Sequence, residues 1–439
     1  MVDVIGAEAA EATIEAQSAP FVAEGDFTPR KLKVAAGILI GQSFGTSILP
    51  YSAMMLMLMP LTHQFGWTAQ QFSWAVTFLF VFGALSLWPI GRIADKVGVR
   101  PVLLTGTIVV GVITLAMAFQ TARLWQFYLY YALLGMFGST GVTYTKVVAA
   151  LFTQHRGKAM AILTAETTLA RAGIPLFVNW LLLTQGWQTM YLVFGAMILA
   201  CVPVLFFTLD EPGRLPQRPG ASALAQPPRI AFEGMTISQA VRDWVFWLTT
   251  VTAFIGLFIF NGMFPHMVPA IVQKGFSQTT VVTLQSIATV IAFSGALVGG
   301  WAVDHFQSPK VAFPISLMSA LGTFLILIVT PSFGGVWMLG GALLLGALSF
   351  TALFPMGQYF ATRFFGLNSL TEIIAVQFMI TNLFAGLGAP LFGWIFDKTH
   401  SYSSVFMITT ALNLLVAFVW LVLPRYRYSK NIGQMPAAS

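Results

Sequence analysis

Long apolar runs separated by short polar turns make up most of the chain. A helix needs about 20 apolar residues to cross the hydrocarbon of a bilayer, and runs of that length recur twelve times. We number these predicted membrane-spanning helices spans 1 to 12. They cover residues 34–60, 70–92, 99–121, 124–152, 158–184, 187–209, 243–272, 277–303, 310–331, 334–361, 369–396 and 402–424.

One polar stretch divides the spans into six plus six. Residues 209–234 are rich in Pro, Gly and Arg and too polar to cross a membrane, as expected of a linker. We therefore expect an all-α membrane protein with two pseudo-symmetric six-helix halves. The predicted parts are a disordered cytoplasmic tail over 1–30, a first half over 31–209, a linker over 210–238, a second half over 239–424 and a cytoplasmic tail over 425–439.

The composition and the basic residues agree with a membrane location. Charged residues make up 8% of the chain, against roughly 25% in soluble proteins. Lys and Arg favour cytoplasmic loops, and with the N-terminus inside, 17 of them lie on the cytoplasmic side against 3 outside. This predicts the inner (cytoplasmic) cell membrane with both termini in the cytoplasm. It also explains the net charge of +7 without nucleic acid as a partner.

The loop after span 2 reads GRIADKVGVRP, over residues 91–101. It fits the pattern G-x-x-x-D-[RK]-x-G-x-[RK] at Gly91, Asp95, Lys96, Gly98 and Arg100. This resembles the signature loop between spans 2 and 3 of the major facilitator superfamily. The resemblance implies a fold of twelve helices and a gating role for these residues at the cytoplasmic ends of the helices.

The G-x-x-x-D spacing occurs twice more. Gly300 and Asp304 keep it after span 8, where an internally duplicated chain should show a second copy of the gating loop. Gly393 and Asp397 repeat it after span 11. That pair falls on the outer side, so we do not interpret it as a copy of the loop.

Four other stretches narrow the resemblance. FGWTAQQFSW, LFTQHRGKAMAI, GAPLFGWIFDKTHSY and the entry to span 7 are similar to the monocarboxylate transporter and oxalate:formate antiporter group of that superfamily. The resemblance implies a carboxylate substrate. Transporters of that group commonly carry a substrate-binding Arg in span 8, whereas span 8 of this chain contains no charge.

Three charges lie inside predicted spans, where an ionisable residue costs at least about 2.5–3.5 kcal/mol. Arg171 lies roughly 20 Å along span 5, near the midplane, and Glu166 and Lys146 lie roughly 12 Å and 9 Å from the cytoplasmic ends of spans 5 and 4. Arg171 is the candidate substrate anchor, because a guanidinium binds a carboxylate bidentately. Lys146 is a second candidate contact. Two threonines share the helix face of Arg171 and are also candidates, Thr167 and Thr168.

Each of these charges has a second interpretation. Arg171 could pair with a carboxylate or with carbonyls of a neighbouring helix. Glu166 either forms a fixed bridge with Lys146 or takes the proton that drives transport, because burial favours the neutral acid. Glu372, at the start of span 11, is expected to pair with Arg363.

His266, in the outer part of span 7, is a candidate proton carrier or a hydrogen-bonded gate residue, since histidine titrates near neutral pH. Uncharged polar residues within the spans are weaker candidates, because each is also suited to joining helices. They are Gln42, Tyr51, Asn261, Gln285, Tyr359, Gln377 and Asn382.

The motifs point to transport and not to an enzyme. The sequence contains no nucleotide-binding loop, no metal-spaced His or Cys cluster and no Ser/His/Asp set, so no cofactor is expected and an ion or substrate gradient must drive transport. We predict a monomeric secondary transporter that takes up a small organic anion with protons by alternating access. Anion exchange, or proton-driven export of amphipathic or cationic compounds through Glu166, are the alternatives.

Overall fold

The computed structural model describes residues 28–44, 48–141, 143–144, 156–209 and 234–428. These residues form helices joined by short turns, with no β-strand among them. The helices of the first half are α1 (Pro29–Phe44), α2 (Ile48–Phe65), α3 (Ala69–Val97), α4 (Val99–Met117), α5 (Leu124–Gly138) and α6 (Arg156–Thr208). Those that follow are α7 (Ile237–Arg242), α8 (Trp244–Met263), α9 (Met267–Val272), α10 (Gln278–Phe306), α11 (Ala312–Ile328), α12 (Gly335–Phe365), α13 (Leu370–Ala385), α14 (Gly388–Thr399) and α15 (Ser403–Val422).

The helices confirm an all-α membrane fold. Among the described residues, 10 segments are long and apolar enough to cross a membrane. Predicted spans 5 and 6 are joined in α6. Span 4 is represented by the 15 residues of α5 and a 3-10 turn over Ser139–Gly141, and its remaining part lies largely outside the described residues. Spans 7 and 11 are each broken into two helices, α8 with α9 and α13 with α14.

Glycines with a positive φ lie at the sharp reversals of the first half, and Gly186 and Gly98 have the largest angles among them. Gly186 has a φ of 83° and turns α6 back between predicted spans 5 and 6. Gly98 has a φ of 101° between α3 and α4. Residues with a Cβ rarely adopt such angles, so glycine is required at both turns.

The turns define two sides of the bundle. The linker side carries Gly234 and Gly366, which pair in an isolated bridge, and the N–H of Met235 donates to Phe365 O at 2.7 Å. Gly98 lies on the same side, because Arg100 bonds Phe206 O near residue 209, where the linker begins. The far side carries the turns at Gly66 and Gly186 and their counterparts in the second half. The sequence predicts that the linker side is cytoplasmic.

Packing within each half is tight, while the halves meet along few helices. In the first half α3 packs on α5 and α4 on α6; in the second, α10 packs on α12 and α11 on α12 and α15. Among the described residues, four helix pairs make the main contacts between the halves, namely α3 with α14, α3 with α13, α6 with α10, and α2 with α9. Large apolar side chains remain exposed on the outer surface, including Trp337 at 92% and Trp88 at 70%, as expected for contact with lipid.

The expected ion pair between Arg363 and Glu372 is wrong. Glu372 is exposed on the first turn of α13, and no ion pair joins it to Arg363. Arg363 is buried, with its guanidinium carbon 4.8 Å from the ring centroid of Tyr426 and 6.0 Å from that of Tyr359. Tyrosine faces attract a cation, so aromatic packing takes the place of the carboxylate.

Candidate functional site

A cavity of about 450 Å³ lies between the two halves. The first half contributes a few wall residues, among them Tyr51 and Met55 from α2 and Pro175 from α6, and the second half contributes the remainder. None of the described residues that line the cavity is charged. The described wall therefore offers hydrogen bonds and apolar surface to a ligand, and any charge must come from outside it.

On the far side, the carboxylate of Asp397 joins the two halves. Its two oxygens accept the backbone N–H groups of Ala69 and Gln70, each at 2.9 Å. These are the first two residues of α3, and such N–H groups have no partner within their own helix. Because the start of a helix carries a partial positive charge, a carboxylate is favoured there. Asp397 is thus a cap supplied by the opposite half.

Gly393 allows that approach. A Cβ at Gly393 would lie 2.7 Å from backbone atoms of Ala69 and Gln70, closer than real Cβ atoms come. Asp397 follows Gly393 by one turn of α14, so it reaches the same helix start. The G-x-x-x-D spacing on the far side therefore docks one half onto the other.

His266 lies in the same region and is completely buried. Its Nε2 is 3.0 Å from both Ser73 Oγ and Ala389 O, and its Nδ1 is 3.1 Å from the hydroxyl of Tyr402. A carbonyl only accepts, so we assign the proton to Nε2, and Nδ1 then accepts from Tyr402. The neutral ring has a hydrogen bond to each of its three neighbours. It joins Ser73 of α3 to three segments of the second half, which are its own turn after α8, α14 at Ala389 and the turn at Tyr402.

Two further contacts complete the closure. The hydroxyl of Thr77 donates to Gly386 O at 2.8 Å, and Asn179 is bonded to Gln278 at 2.9 Å and Thr279 at 3.3 Å. We call the cross-half bonds of Asp397, His266, Thr77 and Asn179 the far-side latch.

The hydrogen bonds found between described residues of the two halves all lie toward the far side of the cavity. Tyr51 adds one of them, because its hydroxyl is 3.4 Å from Asn261 Oδ1 and its ring stacks on Phe264 with a centroid distance of 4.5 Å. No corresponding bond joins described residues of the halves at the linker-side ends of the helices. The arrangement is therefore closed on the far side.

The structure brings some of the predicted binding residues to the cavity. Tyr51, Gln285 and Gln377 line it. The amide of Gln377 donates to the hydroxyls of Thr249 at 3.0 Å and Thr250 at 3.1 Å, which ties span 11 to span 7.

Other predicted binding residues do not line the cavity. Asn261 lies behind Tyr51, and His266 belongs to the latch. Asn382 donates to Phe378 O of its own helix at 2.8 Å. Gln42 lies on α1, and Tyr359 packs against Tyr426 with ring centroids 6.2 Å apart.

The charged residues predicted to bind the substrate lie in parts of the chain whose side chains the structure does not describe. Lys146 lies outside the described residues. Glu166, Thr167, Thr168 and Arg171 belong to α6, whose backbone is described there, but their side chains are not.

The next turn of α6 is described in full. Pro175 lines the cavity, and Ala172 and Gly173 line a smaller pocket beside Ser286 of span 8. Position 171 is thus one helical turn from the cavity wall and adjacent to the contact between spans 5 and 8.

The predicted gating loop lies at the linker side. Arg100 hydrogen-bonds Phe206 O near the end of α6 and places its guanidinium carbon 4.5 Å from the centroid of that ring. Lys96 is exposed, and the side chain of Asp95 lies outside the described set. A Cβ at Gly91 or Gly300 would meet nothing within 4 Å. Asp304 is exposed near the end of α10.

Several polar residues of the second half were not identified from sequence. Ser286, Ser316, Asn413 and Trp420 line the cavity, are at least nine-tenths buried, and each has a polar atom without a hydrogen-bond partner. A single uncharged polar residue in an apolar helix gives no distinctive signal, although the seven-residue spacing of Asn413 and Trp420 places both on one face. The described residues contain no group of three or more His, Cys, Asp or Glu that could hold a metal.

Comparisons with known proteins agree with this geometry. The family model described as Major Facilitator Superfamily matches residues 38–376. Monocarboxylate transporter 11 from Homo sapiens is 24% identical, covering 83% of this chain and 77% of that protein. Monocarboxylate transporter 13 from Bos taurus is 29% identical over 77% of each. A bacterial homolog of the human lysosomal transporter Spinster, in an inward-facing and occupied conformation, has the same fold, with a TM-score of 0.69 and 16% identity over 90% of this chain and 97% of that one.

Proposed function

The chain belongs to the major facilitator superfamily, and from that premise we propose that it is a secondary transporter that takes up a small organic anion, a carboxylate, together with protons. The relatives named monocarboxylate transporters support a carboxylate as cargo. The protein would lie in the inner (cytoplasmic) membrane with both termini in the cytoplasm, and act as a monomer.

The observation that carries the proposal is the uncharged wall of the cavity beside span 5. Span 8 lacks the Arg that is common in similar transporters, and its Gln285 and Ser286 line the cavity instead. Helix α6 packs against α10, and Arg171 precedes the cavity-lining Pro175 by one turn. We assign the anion-binding charge to Arg171, because a midplane site between the halves is where such transporters bind their cargo.

The far-side latch supports alternating access. With the linker side in the cytoplasm, the latch closes the outward side in the conformation described here. Uptake requires the opposite state, in which the latch opens and the linker-side loops close. The predicted gating residues would stabilise that second state; they are Gly91, Asp95, Lys96, Gly98, Arg100 and Asp304.

Two other functions use the same cavity. Anion exchange needs Arg171 but no titrating carboxylate. Export of amphipathic or cationic compounds needs the acid Glu166 and not Arg171. The uncharged cavity wall is compatible with either cargo, so the two side chains must be tested separately.

The test is uptake of labelled mono-, di- and aromatic carboxylates into proteoliposomes, with and without an inward proton gradient. Arg171→Gln and Glu166→Gln are compared with Arg123→Gln, which neutralises an exposed Arg at the far-side start of α5. We expect Arg171→Gln to abolish uptake, Arg123→Gln to preserve it, and Glu166→Gln to remove the response to the gradient. Normal uptake by Arg171→Gln contradicts the assignment. The exporter is favoured if no acid is taken up and if proton-driven export of a labelled cation is lost in Glu166→Gln but kept in Arg171→Gln.

A further inference from the structure

The cavity extends from the space between the halves into the interior of the second half. Its wall there includes Ser316 and Gly322 of α11, Gly346 of α12, and Asn413 and Trp420 of α15. Within the second half, α11 packs on both α12 and α15. We call this extension, between spans 9, 10 and 12, the side arm.

Three hydrogen-bond donors in the side arm lack partners. They are the hydroxyl of Ser316, the amide nitrogen of Asn413 and the indole nitrogen of Trp420, with residue exposures of 1%, 7% and 6%. Nearby hydroxyls are satisfied, since Ser349 donates to Ile315 O at 2.7 Å and Thr323 bonds Ala320 O at 3.0 Å. An unpaired buried donor is costly, so three in one arm indicate a place where an acceptor binds.

The three donors are spread along the length of the arm. Asn413 and Trp420 are seven residues apart on α15, which places them on one face with a separation of about 10 Å. Ser316 lies one turn from the linker-side start of α11, a depth similar to that of Trp420 near the linker-side end of α15. The wall between them is apolar or small, and a Cβ at Gly346 would meet nothing within 4 Å.

The whole cavity, of about 450 Å³, has room for many times the roughly 10–15 Å³ that one water needs. It therefore exceeds the needs of a very small acid.

We propose that the side arm is a specificity pocket for the part of the cargo remote from its carboxylate, an apolar body that carries a neutral hydrogen-bond acceptor such as an ether, keto or hydroxyl oxygen. This inference rests on the proposed function, because it assumes that the cargo is an organic acid. Asn413 donates to the acceptor, and Trp420 with Ser316 serves cargo that reaches farther along the arm.

The charge of the arm defines the cargo further. None of the described residues of the arm is ionisable, and Arg363, although close behind Phe360 and Tyr426, does not line it. A second carboxylate in the arm would be desolvated without a cation, which is strongly unfavourable. The part of the cargo that enters the arm is therefore uncharged, and the carboxylate lies at the span 5 end of the cavity.

The test measures binding of three acids to the full-length protein in nanodiscs. Propanoate has no group for the arm. Para-methoxyphenylpropanoate and para-ethylphenylpropanoate have nearly the same shape, but only the first carries an acceptor at its far end. Gly346→Leu fills the arm, and Asn413→Leu and Trp420→Phe remove donors.

Two matched controls keep the same chemistry outside the arm. Gly341→Leu alters the same helix at an exposed glycine that does not line the cavity and also has open space for a Cβ. Trp337→Phe alters a Trp that is 92% exposed. Both should bind all three acids as the unaltered protein does.

We expect Gly346→Leu to weaken both aromatic acids at least tenfold and leave propanoate unchanged. A neutral hydrogen bond contributes about 0.5–1.5 kcal/mol, so Asn413→Leu or Trp420→Phe should weaken the methoxy acid about two- to twelvefold and the ethyl acid much less. Binding of propanoate without either aromatic acid, or equal losses for methoxy and ethyl acids in both variants, overturns the side-arm proposal alone. Failure of all three acids to bind overturns the carboxylate function as well.

Discussion

Neutralising Asp397 should open the far side. The carboxylate accepts two backbone N–H groups at 2.9 Å across the halves, and Asp397→Asn leaves one neutral oxygen in place of two charged ones. Hydrogen bonds to charged groups contribute about 1.5–3 kcal/mol each, against about 0.5–1.5 for neutral ones. A carboxylate at a helix start adds about 0.3–1 kcal/mol.

The carboxylate is only partly buried, so screening by solvent places the loss at the lower end. We expect about 1–2 kcal/mol, which changes the ratio of far-side-closed to far-side-open protein by a factor of roughly 5–30. The linker-side contacts are unaffected by the substitution. The equilibrium should therefore move toward the state that opens on the far side.

Spin-label distances measure this shift directly. Labels at Thr121 and Ser332, both exposed on the far side of opposite halves, should show a longer-distance population in Asp397→Asn, with Cys201 first replaced by Ser. Glu372→Gln is the matched control, since it removes an exposed carboxylate at the linker-side end of span 11. An unchanged distance distribution in Asp397→Asn, or the same shift in Glu372→Gln, would refute the latch.

Three other substitutions test neighbouring features. Gly393→Ala places a Cβ 2.7 Å from the start of α3 and should lengthen the same spin-label distances even though Asp397 is intact; closed-state distances would contradict the steric argument. His266→Phe removes the hydrogen-bond partner of Tyr402 and Ala389. We expect uptake into proteoliposomes to slow while uptake still responds to the proton gradient, because His266 acts in the latch. Loss of the response to the gradient would make His266 a proton carrier. Gly98→Ala forces a φ of 101° and a ψ of 159° onto a residue with a Cβ, a conformation essentially limited to glycine that costs roughly 1–3 kcal/mol. The melting temperature in detergent should therefore fall, and an unchanged value would show that the turn does not require glycine.

The membrane fold could be predicted from the sequence because a span requires a long apolar run, whatever its neighbours are. The break within span 7 could also be predicted, because Gly and Pro interrupt the run over residues 261–269. The break within span 11 could not. Its freed backbone groups are satisfied by packing, as where Thr77 of α3 bonds Gly386 O between α13 and α14. Such compensation depends on a helix distant in the sequence.

The site was predicted less completely, for a related reason. Glu166 and Arg171 are conspicuous because charges are rare inside spans. Asp397 has an equally clear spacing from Gly393. Its predicted position on the outer side showed only that this pair is not a copy of the cytoplasmic gating loop. Its partner is the start of another helix in the other half, and no periodicity within span 11 encodes that contact.

The two halves differ in a way that separates gating from recognition. The first half supplies the charged candidate Arg171 and the helix start that Asp397 caps, whereas the described cavity wall, mostly from the second half, is uncharged. A neutral wall would interact weakly with the carboxylate of the proposed cargo, so the wall could vary to suit the remainder of that cargo. Changes in the side arm should therefore alter which acid is carried without altering the latch, and changes at Asp397 should alter the conformational equilibrium without altering the preference among acids.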